Sequence, residues 1–227
     1  MDVYTTEEQQ IEAMKKWWQK NGTSILTGII VALVAVLGWN FYQQNQQANR
    51  EAAAVLYSQL VEAATLADQY RIAGNTEQLE GQLATVTHLG KQLKNDFTGN
   101  EYAVFGAMML AREAMFDNDP AAAEQQLQWA AANTSSDPTR LIATQRLARV
   151  QAEQEKYDAA LATLDEVEPG SQADAFEEVR GDIYLAMGER DKARSAYKKA
   201  IDLSTELNQG QPRPILEFKY NNLLVAG

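Results

Sequence analysis

His88 is the only histidine among 227 residues, and there is no cysteine. These two facts remove much of enzyme chemistry. No pair of imidazoles or thiolates can hold a metal, and there is no thiol nucleophile and no disulfide. A lone histidine in a helical stretch, here Thr85 to Leu93, reads as a surface or packing residue rather than a proton shuttle. The remaining ionisable clusters are Glu7-Glu8, Asp165-Glu166 with Glu168, and Glu177-Glu178. Paired carboxylates can serve as general acid and base. These pairs fall on helix faces and helix ends, where charged side chains are ordinarily solvated. No Gly-x-Ser-x-Gly elbow and no Walker loop is present. The residues point away from an enzyme, and no cofactor or metal is expected. A membrane-tethered hydrolase is the least supported alternative.

What has to be positioned is then a binding surface. The most informative element is Ile25 to Tyr42, ILTGIIVALVAVLGWNFY, inside an uncharged run from Asn21 to Asn49. Eighteen helical residues rise about 27 Å, close to the hydrocarbon thickness of a bilayer. A soluble core helix would show a polar stripe, and this segment has none. A cleaved signal peptide would have a shorter apolar region followed by small residues. Here the run ends in Trp39-Asn40-Phe41-Tyr42. The reading is a retained single membrane span, against the two alternatives of a signal peptide and a buried helix.

Lysines set the expected orientation. Lys15, Lys16 and Lys20 precede the span, and Arg50 follows it. The N-terminus is expected in the cytoplasm and the large domain on the far side. Trp17-Trp18 before the span and Trp39, Phe41 and Tyr42 at its end suit the two interfacial belts. Residues 1–24 form a short arm. Thr5-Thr6-Glu7-Glu8 reads as a helix start, and Ile11, Met14 and Trp18 recur at helical spacing, as in a helix lying on a membrane surface. Asn21-Gly22 is expected to break that helix before the span.

The net charge is −11, of which the four acids and three lysines before the span contribute −1. The acidic part that follows is a poor ligand for nucleic acid. From the span a helix should run on, or restart after a kink near Gln43 to Gln47, and end near Gly74-Asn75. Amphipathic segments follow, from Thr76 to about Lys94, Tyr102 to Phe116 and Ala121 to Ala132. Another runs to Glu155, with Asp137 expected as N-cap and Pro138 at the first helical position. No alternating strand pattern of useful length occurs, so the fold class is all-α.

Self-similarity specifies the architecture. LARVQAEQEKYDAALATL from Leu147 aligns with RGDIYLAMGERDKARSAY from Arg180 at an offset of 33. LAREAMFDNDPAAAEQQL from Leu110 aligns with the first at an offset of 37. This is the period of a tetratricopeptide repeat, a helical hairpin of about 34 residues. Small residues (Ala148 and Gly181, Ala160 and Ala193) let the two helices approach, and Leu164 or Tyr197 fills the space between repeats. Pro214 to Tyr220 is expected to cap the stack. The chain divides into an arm (1–24), a span (25–42), a helical extension with a first hairpin (43–100), and repeats with a capping helix (101–227). Such stacks present a concave face lined by the first helix of each pair. By analogy with that geometry, a peptide or partner would meet Gln145, Arg149, Ala152 and Glu153, then Glu178, Asp182 and Leu185. Other helices of the chain filling this groove is the alternative.

A short lysine-and-aromatic arm, one span and an acidic repeat domain together resemble the YfgM family, the ancillary subunit of the SecYEG translocon in Gram-negative bacteria. The closest stretches are Leu147 to Gln151, Ala159-Ala160-Leu161 with Thr163-Leu164, Arg180-Gly181-Asp182 through Gly188 to Ala196, and Asn221-Asn222-Leu223. The arm from Glu12 to Gly22 is similar in character, and residues 50–100 depart most. The resemblance implies a bacterial inner-membrane protein with its domain in the periplasm. It implies association with the SecYEG translocon and with PpiD, a membrane-anchored periplasmic chaperone, and a role in handing over secreted proteins. An adaptor for envelope stress signalling or cell-wall assembly would share this architecture. Self-association is left open.

Overall fold

The computed structural model describes residues 7–207 and 213–225; Thr5 and Thr6, half of the expected helix start, lie outside them. The described residues form nine α-helices and one short 3-10 turn, Gly170–Gln172, with no strand among them. The compact units are two, one up to Glu51 and one from Ala52.

The first helix, α1, runs from Glu7 to Ala73 without interruption. The break expected at Asn21-Gly22 does not occur, and the arm is not a separate surface helix. A helical glycine costs only about 1 kcal/mol against alanine. Asn21 donates its side-chain amide to the Trp17 carbonyl at 3.0 Å, and the Trp18 indole lies over Gly22. Further along, Gln46 donates to the Tyr42 hydroxyl and Gln47 to Glu51, so the glutamine run continues the helix. An 18-residue window of α1 has a mean hydropathy of 2.1, and none of it is buried. That is long and apolar enough to cross a membrane, and it does not fit a core helix.

The second unit is a series of helical hairpins. The part of α1 from Ala52 pairs with α2 (Thr76–Asp96). Then come α3 (Glu101–Phe116) with α4 (Pro120–Asn133), α5 (Asp137–Glu153) with α6 (Tyr157–Asp165), and α7 (Ala173–Ala186) with α8 (Arg190–Leu207). Helix α9 (Pro214–Val225) follows as the expected cap, with Leu216 buried against Ala193, Tyr197 and Ala200 of α8.

One local device ends the first helix of all four pairs. After α1, Gly74 takes φ +70, Gly74 N–H donates to Arg71 O and Asn75 N–H to Tyr70 O. This is a Schellman turn, which satisfies the last carbonyls and reverses the chain. The same two bonds recur around Asn118 (φ 56), Glu155 (φ 59) and Gly188 (φ 80). The last three sit at the offsets of 37 and 33 found in the alignment. Glu155 also explains why α5 stops at Glu153. At the other end of α5 the N-cap is Ser136, whose hydroxyl accepts from Thr139 N–H. Asp137, expected as the cap, is the first helical residue.

Apolar clusters join each hairpin to the next. Leu60 and Ala64 of α1 meet Leu93 of α2 and Ala103 of α3. Ala107 and Leu127 meet Ala143 and Val150. Leu164 packs with Ala148, Phe176 and Val179, between repeats as expected. Tyr197 behaves differently. Its ring lies on Gly181, where a Cβ would come within 2.5 Å, so it fills the space inside its own pair and under α9.

Candidate functional site

The residues with potential chemistry are dispersed. His88 is exposed on α2. Asp165 pairs with Arg180 at 2.8 Å, and Glu177 with Lys199 at 2.9 Å. No group of three metal-ligating side chains occurs among the described residues.

The first-helix face is more informative. On α5, Gln145 is buried and donates to Gln172 Oε1 at 2.8 Å. Arg149 and Glu153 are exposed, and Ala152 is half-buried. On α7, Glu178 is buried, Asp182 half-buried and Leu185 exposed. The two carboxylates face cations from α9 and the residue before it. Lys219 Nζ lies 2.9 Å from Glu178 Oε1 and 2.7 Å from Asp182 Oδ1. Arg213 pairs with Glu178 and, at 3.0 Å, with Asp174. The Tyr197 hydroxyl donates to Asp182 at 2.8 Å. So Glu178 and Asp182 of α7 are engaged by Lys219, and Glu178 also by Arg213, while Arg149 and Glu153 of α5 stay exposed.

Charge follows from this packing. Burial alone would raise the Glu178 carboxyl, but the hydrogen bond and charge of Lys219, with the charges of Arg213 and Arg149, outweigh it and hold the carboxyl below its usual range. Burial opposes the Lys219 ammonium, and Asp182 and Glu178 overcome it and push its pKa up. Burial and the neighbouring Asp182 raise the Tyr197 phenol.

Between α3, α4 and α5 lies an open cleft of about 530 Å³, lined by Met108, Ala111, Arg112, Met115, Phe116, Leu127, Arg146, Arg149 and Val150. Its floor is thioether, aryl and aliphatic. Arg112 pairs with Asp68 and, at 3.5 Å, with Glu113, and it lies over Phe116. Arg146 and Arg149 have no carboxylate within 4 Å among the described residues, and Arg146 reaches only Met108 Sδ, at 3.9 Å. Of the residues expected on the binding face, only Arg149 lines this cleft. Four of the other lining residues could have been found from the repeat. Carrying Gln145, Arg149, Ala152 and Glu153 back by 37 residues gives Met108, Arg112, Met115 and Phe116, all four in the lining.

A family model described as a tetratricopeptide repeat-like domain matches residues 15–225. The chain is 27% identical over 227 residues to a protein of Escherichia coli (strain K12) named "Ancillary SecYEG translocon subunit", covering 99% of this chain and 100% of that one. Proteins of the same name are similar in Haemophilus influenzae, at 27% over 96% and 97% of the two chains, and in Neisseria gonorrhoeae, at 28% over 98% and 100%. No solved structure matches.

Proposed function

Because the chain belongs to the tetratricopeptide repeat-like domain family and is similar over almost its whole length to proteins named ancillary translocon subunits, we propose that it is a membrane-tethered, non-enzymatic scaffold associated with the SecYEG translocon. The observation that carries this is the extent of the likeness. It covers 99% of the chain, so it includes the apolar part of α1 as well as the hairpins. A name shared over the hairpins alone would say little, since repeat stacks serve many unrelated partners.

In the finer reading, the N-terminus is cytoplasmic and the hairpins lie in the periplasm of a Gram-negative cell. The three lysines before the span support that orientation. The scaffold there helps emerging secreted chains pass to a membrane-anchored chaperone of the PpiD type. The open α3–α5 section of the face supports a role in which a second protein segment is held.

The absence of cysteine provides the test of orientation. In spheroplasts, a membrane-impermeant maleimide should label Ala132→Cys at once and Gln9→Cys only after lysis. The opposite pattern would reverse the topology. For the partner, a photo-crosslinking residue in place of Arg149 should capture a translocon or chaperone protein in living cells. Capture of neither, with the protein inserted and folded, would remove the hand-over role.

A further inference from the structure

We infer that the cleft between α3, α4 and α5 binds a segment of a partner protein in which apolar side chains stand beside carboxylates. This rests on the scaffold reading above and deepens it by naming the partner's chemistry. The first observation is the pairing of an apolar floor (Met108, Met115, Phe116 and Leu127) with Arg146 and Arg149 at its rim. The chain carries 31 acids against 20 basic residues. Two arginines outside any close ion pair among the described residues are out of character for so acidic a chain, although the charge of Arg149 also reaches Glu178. The carboxylates nearest the α3 side, Asp68 and Glu113, are already engaged by Arg71 and Arg112.

The second observation is how the same face is occupied one hairpin on. At α7 it displays Glu178 and Asp182, and α9, anchored on α8 by Leu216, sets the cation Lys219 against both. The chain thus seats a helix that brings an apolar anchor and a cation onto its own last hairpin. At α3 and α5 the sign of the display is reversed, and no helix of the described chain covers it. The complementary occupant has leucine- or methionine-like anchors with Asp or Glu flanking them. Bidentate arginine–carboxylate pairing on an apolar floor gives both register and discrimination against basic segments. A second copy of this chain is less suited, because its strongly negative hairpin domain would be repelled as a whole.

The test uses the whole 227-residue protein in detergent and three fluorescein-labelled peptides. One is an amphipathic leucine–glutamate helix former, and its counterparts replace every glutamate by glutamine or by lysine. The glutamate peptide should bind at least roughly tenfold more tightly than either counterpart, and the difference should shrink with added salt. The double variant Arg146→Ala/Arg149→Ala should lose that preference while keeping its circular dichroism spectrum and melting curve. Equal affinity for the three peptides, no binding by any, or a double variant that binds like the parent would overturn the inference. Sedimentation in which the protein alone forms dimers that the double variant abolishes would assign the cleft to a second copy and also overturn it. The comparison of the three peptides needs no variant, so a folding defect cannot mask the answer. Translocon subunits co-purifying with a double variant that has lost the peptide preference is compatible with both readings. Failure of the peptide arm beside intact co-purification would remove this inference alone, and failure of co-purification beside intact peptide binding would remove the scaffold reading.

Discussion

Glu155 holds a backbone conformation that glycine holds at the equivalent turn after α7. A left-handed φ costs an L-residue about 1–2 kcal/mol, set against the greater freedom glycine gives the unfolded chain. Glu155→Gly should therefore stabilise the domain, by roughly 1 kcal/mol, as a raised urea midpoint. Gly181 presents the opposite case. A Cβ there would come within 2.5 Å of the fully buried Tyr197 ring. Gly181→Ala should cost about 1–3 kcal/mol by forced repacking, and Gly181→Ala with Tyr197→Leu should recover part of it. An unchanged urea midpoint in Gly181→Ala would contradict the packing described. Gly181 was legible as a small residue at the helix crossing because the alignment put it on Ala148. That Tyr197 fills its own pair was not legible. A large residue at that position reads the same whichever side it fills, and only the vacancy above Gly181 draws the ring inward.

At the scale of elements, the docking of α9 is electrostatic as well as apolar. Glu178 titrates below its ordinary value, so its contribution is complete above the unfolded carboxyl pKa of about 4.3 and is lost as pH falls through the lowered folded value. Lys219 titrates above its ordinary value, so its contribution is complete below about pH 10.4 and is lost as pH rises through the raised folded value. At neutral pH Glu178→Gln should melt below the parent, and the gap should close as pH falls below about 4. A gap that stays constant as the pH falls well below about 4 would show that the carboxylate does not hold α9. The helices themselves were readable from 3.6-residue periodicity and turn residues. The partners of α9 were not. Lys219 meets Glu178 and Asp182 across about forty positions of sequence, and charge pairing at such separation leaves no local period. Asn21-Gly22 misled for a different reason. Propensity is a weak prior, and here the Asn21 amide and the Trp18 ring support the helix that the residue types alone would end.

At the scale of the molecule, an unburied apolar helix and an acidic stack of hairpins are carried on one chain, and the likeness to near-full-length relatives extends over both regions. The repeat period disclosed the stack, and four Schellman turns show its physical basis. Of the cleft proposed to hold a partner, Arg149 was legible in the sequence, and Met108, Arg112, Met115 and Phe116 would have been by carrying the repeat back to α3. Arg146 was not, because the position one repeat on is the buried Val179, which marks it as core. The central claim is that this chain is a translocon-associated scaffold. Its most direct test is purification from the native membrane in mild detergent, with mass spectrometry of what stays bound, beside a version in which Ile25 to Tyr42 is replaced by an unrelated span. SecYEG subunits should co-purify with the parent protein. Their absence, from a membrane where they are abundant and the protein is inserted, would contradict the account.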